Sequence, residues 1–288
     1  MSEASKDNRA KTEKKKSSLG QRTVTGAILI AALVVVLHFG GWVFAVTVLV
    51  CLGLALYEEL HALCAAGHAP VWWPSFAALA VSMPLMMFFS TAAMIPILTL
   101  LSFCALFCVM RRRDPDLIDI EMSLLPMLSI VLPGMCLFGI LGAETRVMQT
   151  FLLVLVFAVA VGGDTFAYFV GSIVGGPKLC PHISPNKTVA GCIGGLLGSV
   201  FCALVTGWLF GAFHPGTVFP PFWGNILVGL VGGVAGQMGD LFASMVKRHC
   251  KIKDFSHIFP GHGGMMDRMD SIVFVAIIIF SYRVILRV

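Results

Sequence analysis

The sequence predicts an all-α fold: a polytopic bundle of about nine membrane helices with its N-terminus in the cytoplasm. Three observations carry that expectation. Of 288 residues, 58% are hydrophobic and only 12% charged, and the mean hydropathy is +0.91; soluble domains carry about 25% charged residues. The apolar residues fall in separate runs close to the ~20 residues needed to cross hydrocarbon. Finally, Lys and Arg collect in the N-terminal tail and in a few short loops that a nine-span count places on one side.

Residues 1–22 hold Lys6, Arg9, Lys11, Lys14, Lys15, Lys16 and Arg22 and form a basic cytoplasmic tail. Its polar length before the first apolar run excludes a cleavable signal peptide. Beside a membrane span, such a tail sets topology and meets anionic lipid, and no nucleic-acid partner is expected. Residues 23–288 form one transmembrane domain, with candidate spans at about 24–39, 42–58, 71–89, 92–110, 123–142, 148–171, 189–211, 222–246 and 269–286. On the side of the tail lie Arg111-Arg112-Arg113, Lys178 to Lys187 and Lys247 to Arg268. The opposite loops, near residues 40, 90, 145 and 212–221, are almost free of basic residues, and Arg146 alone breaks the pattern.

The spans before residue 142 contain few polar groups. Glu58 and Glu59 close the second span, where a carboxylate at the headgroup level is cheap, and read as a helix terminus. Nine cysteines, an odd number with no C-x-x-C pair, read as small hydrophobes and not as a disulfide frame or zinc site. Gly191, Gly194, Gly195 and Gly198 line one side of the seventh span. Gly229, Gly232, Gly233, Gly236 and Gly239 line one side of the eighth. Such spacing lets helix backbones approach closely in lipid.

Chemistry concentrates in the half from about residue 150 to 288. Asp164 lies in the apolar run G-G-D-T-F-A-Y-F-V-G, with Tyr168 one turn on along the same face. An acid there is costly, ~2.5–3.5 kcal/mol on insertion scales, which points to function. The segment 178–191 contains Pro181 and Pro185 and cannot be a continuous helix. Its Ser184, Asn186, Lys187 and Thr188 precede the seventh span, the composition of a phosphate cradle at a helix N-terminus. In the eighth span Gly236, Asp240, Ser244 and Lys247 or Arg248 form one stripe. The loop that follows carries Lys253, Asp254, His262, Gly263 and Gly264, then Asp267, Arg268 and Asp270. Asp164, Asp240, Asp267 and Asp270 make a candidate ligand set for a hard cation such as Mg²⁺, which takes carboxylate and phosphate oxygens. The set has room for one or two cations, the second of a kind such as K⁺. His262 is placed to bind phosphate or orient water.

The 244–270 segment resembles the signature of phosphatidate cytidylyltransferases (CDP-diacylglycerol synthases) at Ser244, Lys247-Arg248, Lys253-Asp254, Ser256, Phe259-Pro260, His262-Gly263-Gly264, Asp267-Arg268 and Asp270. The chain is also similar to that family at G-D-T-F-A-Y-F-V-G, I-S-P-N-K-T and Q-M-G-D-L-F-A-S. It departs where family members commonly have a second Lys, here Asn186, and where they often have Glu, here Ala190. The resemblance implies a nucleotidyltransferase that converts CTP and phosphatidate to CDP-diacylglycerol and pyrophosphate with Mg²⁺. It implies catalytic roles for Asp240, Lys247, Arg248, Asp267, Arg268 and Asp270, and substrate contacts from Ser184, Asn186, Lys187, Thr188, Ser244, Lys253, Asp254, His262, Gly263 and Gly264. A homodimer in a bacterial inner membrane, its site facing the cytoplasm, is the matching expectation. The alternative is an ion or solute transporter with an intramembrane acidic site, against which stands the gathering of charge at one face.

Overall fold

The computed structural model describes residues 23–89, 94–217 and 219–286. The expected basic tail and the first residues of the fourth expected span lie outside them. The described chain is a helical bundle, as expected, and the chain is a multi-pass membrane protein. Among the described residues six passes are long and apolar enough to cross a membrane: α2 (Gly41–Ala65), the pair α5 (Leu117–Pro126) and α6 (Leu132–Ile140) taken together, α7 (Arg146–Val174), α8 (Val189–Phe213), α9 (Phe222–His249) and α10 (Met266–Leu286). Three shorter apolar helices, α1 (Thr23–Phe39), α3 (Trp73–Phe88) and α4 (Met94–Met110), fall on the remaining expected spans.

Each interruption has a local cause. Between α1 and α2 the backbone turns at Gly40 and Gly41, with φ of 48° and 47°, a region costly for other residues. Arg146 donates there to the carbonyls of His38 and Phe39. The one basic residue that broke the loop pattern is therefore bound to the C-terminal carbonyls of α1, a favourable end for a cation. Arg283 does the same for the carbonyls of Gly139 and Gly142, at the end of α6. Within the fifth pass, Pro126 and Pro133 each lack an N–H, so the regular ladder cannot run through. A widened π turn, Met127–Val131, takes up the mismatch.

The glycine stripes are buried seams between α7, α8, α9 and α10. A Cβ on Gly229 would lie 2.6 Å from the Val200 Cα of α8, and one on Gly195 would lie 3.0 Å from the Gly163 carbonyl of α7. Backbones this close exclude any larger residue, and packing replaces the hydrophobic drive that lipid removes.

Two short strands depart from the all-α expectation. β1 (Lys178–Cys180) and β2 (Ser184–Thr188) pair antiparallel, Lys178 opposite Thr188 and Cys180 opposite Ser184. Pro181 and Pro185 had excluded a helix; the hairpin is how the segment satisfies its backbone groups instead. Thr188 then caps α8, its hydroxyl accepting from the Gly191 N–H at 3.0 Å.

Candidate active site

The C-terminal end of α7, the hairpin with the start of α8, the last turns of α9 and the first turn of α10 surround one cavity of about 580 Å³. Its size lies within the range of small-molecule sites. The walls carry Asp164 and Tyr168 from α7, Asn186, Lys187 and Thr188 from the hairpin, and Gln237, Asp240 and Lys247 from α9. The loop after α9 adds Asp254, and α10 adds Asp267, Arg268 and Asp270. All four acids of the expected ligand set thus face one space, drawn from three helices.

Their surroundings differ. Asp240 pairs with Lys187 at 2.5 Å. Asp267 is buried, and both its oxygens are engaged: Oδ1 accepts from Lys247 Nζ at 2.7 Å, while Oδ2 accepts from the backbone N–H groups of Phe255 and Gly264, each at 2.9 Å. Asp164 accepts from the Ser271 hydroxyl at 3.1 Å, tying α7 to α10. Asp270 accepts from its neighbour's N–H at 2.8 Å. Among the described residues, neither Asp164 nor Asp270 has a Lys, Arg or His nitrogen within salt-bridge distance.

Among the described residues no three His, Cys, Asp or Glu side chains stand close enough to form a metal site by themselves. Mg²⁺ seldom needs one: it is usually held by one or two carboxylates plus substrate phosphates and water. Asp164, Asp240 and Asp270, which line one cavity from three helices, suit that arrangement. Asp267 suits it least, because its oxygens already fasten the loop to α9.

Other expected site residues stand off the cavity wall. Arg248 follows Lys247 by one residue, which rotates it about 100° around the helix, and its Nε donates to the Ile183 carbonyl at 3.2 Å. It thereby anchors the hairpin. Lys253 is exposed, Ser184 is half-buried, and Ser244 is buried within α9. His262 faces α1: a Cβ on Gly26 would lie 3.6 Å from its Nε2. Its Nδ1 is buried without a hydrogen-bond partner among the described residues. Gly263 and Gly264 serve the loop's close approaches. Gly263 has φ 79°, and a Cβ there would lie 2.8 Å from Asp267 Oδ2; a Cβ on Gly264 would lie 2.5 Å from Glu58 Oε2.

The reading of Glu58 and Glu59 as a headgroup-level terminus is corrected here. α2 continues to Ala65, and the two side chains are 3% and 0% exposed. Glu59 accepts from the Ser129 hydroxyl, presented by the π turn, at 2.9 Å. Glu58 accepts from Ser256 Oγ at 2.6 Å and from the N–H groups of Met265 and Met266 at 3.0 and 2.8 Å. The available signal was that apolar residues resume after the pair, at Leu60, Ala62 and Leu63. Gln237 was also missed: it lines the cavity one turn before Asp240, and its amide donates to the Cys192 carbonyl at 2.9 Å.

The same chain is similar to known proteins. It is 40% identical over 130 residues to the phosphatidate cytidylyltransferase of Brucella abortus, covering 45% of this chain and 46% of that protein. It is 46% identical over 112 residues to the protein of that name from Staphylococcus epidermidis, 39% and 41% of the two chains. With the Bacillus subtilis protein of that name it shares 40% over 151 residues, 51% and 53%. The chain spans about half the length of the curated relatives it matches. The cytidylyltransferase family matches it over residues 20–286, nearly its whole length, and the chain belongs to that family.

Proposed function

We propose that this chain transfers the cytidylyl group of CTP to phosphatidate, forming CDP-diacylglycerol and releasing pyrophosphate, in the cavity between α7, α8, α9 and α10. One observation carries the reading: Lys187, Lys247 and Arg268 line a single cavity together with Asp164, Asp240 and Asp270, at the end of an apolar bundle. The names of the similar proteins agree with it.

The chemistry asks little of a general base. A phosphatidate oxygen, already anionic, attacks the α-phosphorus of CTP; a new P–O bond forms, and the bond from the α-phosphorus to the bridging oxygen breaks, so that pyrophosphate leaves with its electron pair. What limits such a step is the repulsion between two anions and their alignment. Lys187, Lys247 and Arg268 supply fixed positive charge to the phosphates. Lys247 is oriented by Asp267, and its ammonium also lies 5.5 Å from the centre of the Phe255 ring. Asp164, Asp240 and Asp270 would hold Mg²⁺, which when bound neutralises phosphate charge. Asn186 and Asp254, on the wall but without a cation's charge, suit the sugar and base.

The membrane placement follows the same reading. The nine apolar helical passes among the described residues span an inner membrane, with the tail, the basic loops and the cavity on the cytoplasmic side, where a soluble nucleotide meets a lipid headgroup. A variant keeping only the exposed Cys64, at the cavity end of α2, is expected to react with an impermeant maleimide from the cytoplasmic side alone; labelling from the outside would reverse the orientation. Two copies associate as a homodimer through exposed helix faces.

The activity is tested by incubating purified protein with CTP and phosphatidate, with Mg²⁺ and with excess chelator, and analysing lipids by mass spectrometry. A liponucleotide formed only with Mg²⁺ is expected. Its absence under both conditions would overturn the assignment, and equal yield under both would remove the metal.

A further inference from the structure

Among the described residues Glu58 is the one carboxylate from the N-terminal half hydrogen-bonded to the catalytic half's charged loop, and its three donors lie on that loop and at the first residue of α10. Ser256 sits at the loop's near end; Met265 immediately precedes α10, and Met266 is its first residue. The first N–H groups of a helix lack partners within it and favour an anion. Glu58 therefore fixes both ends of the segment 256–266 at once. Arg268 and Asp270, which line the cavity, follow within the next turn of α10. Asp267, which orients Lys247, lies directly after Met266. The fit is close on the other side as well: Gly264 has no room for a Cβ beside Glu58 Oε2.

We infer that Glu58 is a positioning residue for the transfer reaction: from α2 it sets the register of α10's first turn, and through it the placement of Asp267, Arg268 and Asp270. The inference rests on the proposed activity, and it assigns to the N-terminal half a part in catalysis that the cavity lining alone does not reveal. Glu58 touches no substrate in this scheme. A displacement of about 1 Å at reacting groups can cost ~100-fold in rate, so its loss registers in turnover more than in binding.

Two substitutions perturb the same contact from opposite sides. In Glu58→Gln the amide oxygen can keep Ser256 and Met265, but the amide nitrogen then meets the Met266 N–H donor to donor. In Gly264→Ala the new Cβ, 2.5 Å from Oε2, pushes the carboxylate away. The φ of Gly264 lies outside the left-handed region, so alanine adds contact without backbone strain. The test measures kcat and KM for both substrates in detergent, corrected for the folded fraction, for the unsubstituted protein, each single variant and the double variant. Each single variant is expected to lose ~10- to 100-fold in kcat, with each KM changed by less than about threefold. The double variant is expected to lose little more than either single one, because both act on one contact.

Turnover within about twofold of the unsubstituted protein in Glu58→Gln, or losses that multiply in the double variant, would overturn the inference. So would a variant that melts earlier but turns over normally once folded, the mark of a merely structural residue. If Glu58→Gln cannot be purified folded, Ser256→Ala, which removes a single donor, takes its place, with a kcat loss supporting the inference and unchanged kcat overturning it. A product-free reaction by the unsubstituted protein would instead strike the proposed activity itself.

Discussion

Replacing Asp267 by Asn separates a carboxylate that fastens a loop from one that binds a metal. Its side chain is 4% exposed and its partner Lys247 13%, so the 2.7 Å pair is little screened by water. An amide cannot serve both sides. With its oxygen toward the Phe255 and Gly264 N–H groups, its NH₂ faces the lysine ammonium; flipped, the NH₂ faces two backbone donors. Removing one partner of a buried pair costs about 3–5 kcal/mol, because the other charge stays behind. For a chain of this size that corresponds to a fall on the order of 10 °C in melting midpoint. Thermal unfolding in detergent of the parent, Asp267→Asn, Lys247→Met and the double variant reads it directly. The double variant is expected to regain part of the loss, since neither charge is left alone. An Asp267→Asn protein that melts with the parent would refute the reasoning and leave Asp267 free to act as a metal ligand.

Three further outcomes follow from the geometry. Asp240→Asn, which leaves Lys187 without its counter-charge and removes a carboxylate from the cavity, is expected to raise the Mg²⁺ concentration for half-maximal activity by at least ~10-fold; an unchanged Mg²⁺ titration would confine Asp240 to holding Lys187. Lys187→Ala is expected to raise KM for a phosphate-bearing substrate by ~10- to 100-fold, the loss of one charged hydrogen bond, and unaltered kinetics with both substrates would remove it from the site. Lys251 closes α9 in the left-handed region at φ 56°, with Ile252 N–H on the Lys247 carbonyl and its own N–H on that of Arg248. Lys251→Gly is therefore expected to stabilise by ~1 kcal/mol, and a lower melting midpoint would contradict that.

Much of this architecture was legible in the residues. Hydropathy located the passes because lipid demands long apolar helices whose backbone groups are satisfied internally. The acids Asp164, Asp240 and Asp270 were legible because each is costly in its setting. The hairpin was visible only as an exclusion: Pro181 and Pro185 forbid a helix, but strand pairing depends on partners set by the tertiary fold. The placements of Arg248, Gly263, Gly264 and His262 could not be read from the sequence, since residues adjacent in a helix or a loop point in different directions. Glu58 was misplaced for a related reason. A carboxylate near the end of an apolar run looks interfacial until a segment some two hundred residues later covers it, and sequence periodicity carries no trace of that cover.

The most direct measurement follows the label from [α-³²P]CTP into the lipid phase, with phosphatidate and Mg²⁺, for the unsubstituted protein and Asp270→Asn side by side. Lipid-bound label equal in amount to released pyrophosphate is expected from the first, and a fall of at least ~100-fold from the second. No lipid label from the unsubstituted protein, or equal labelling by both, would contradict the claim that nucleotide and lipid phosphate meet in this cavity.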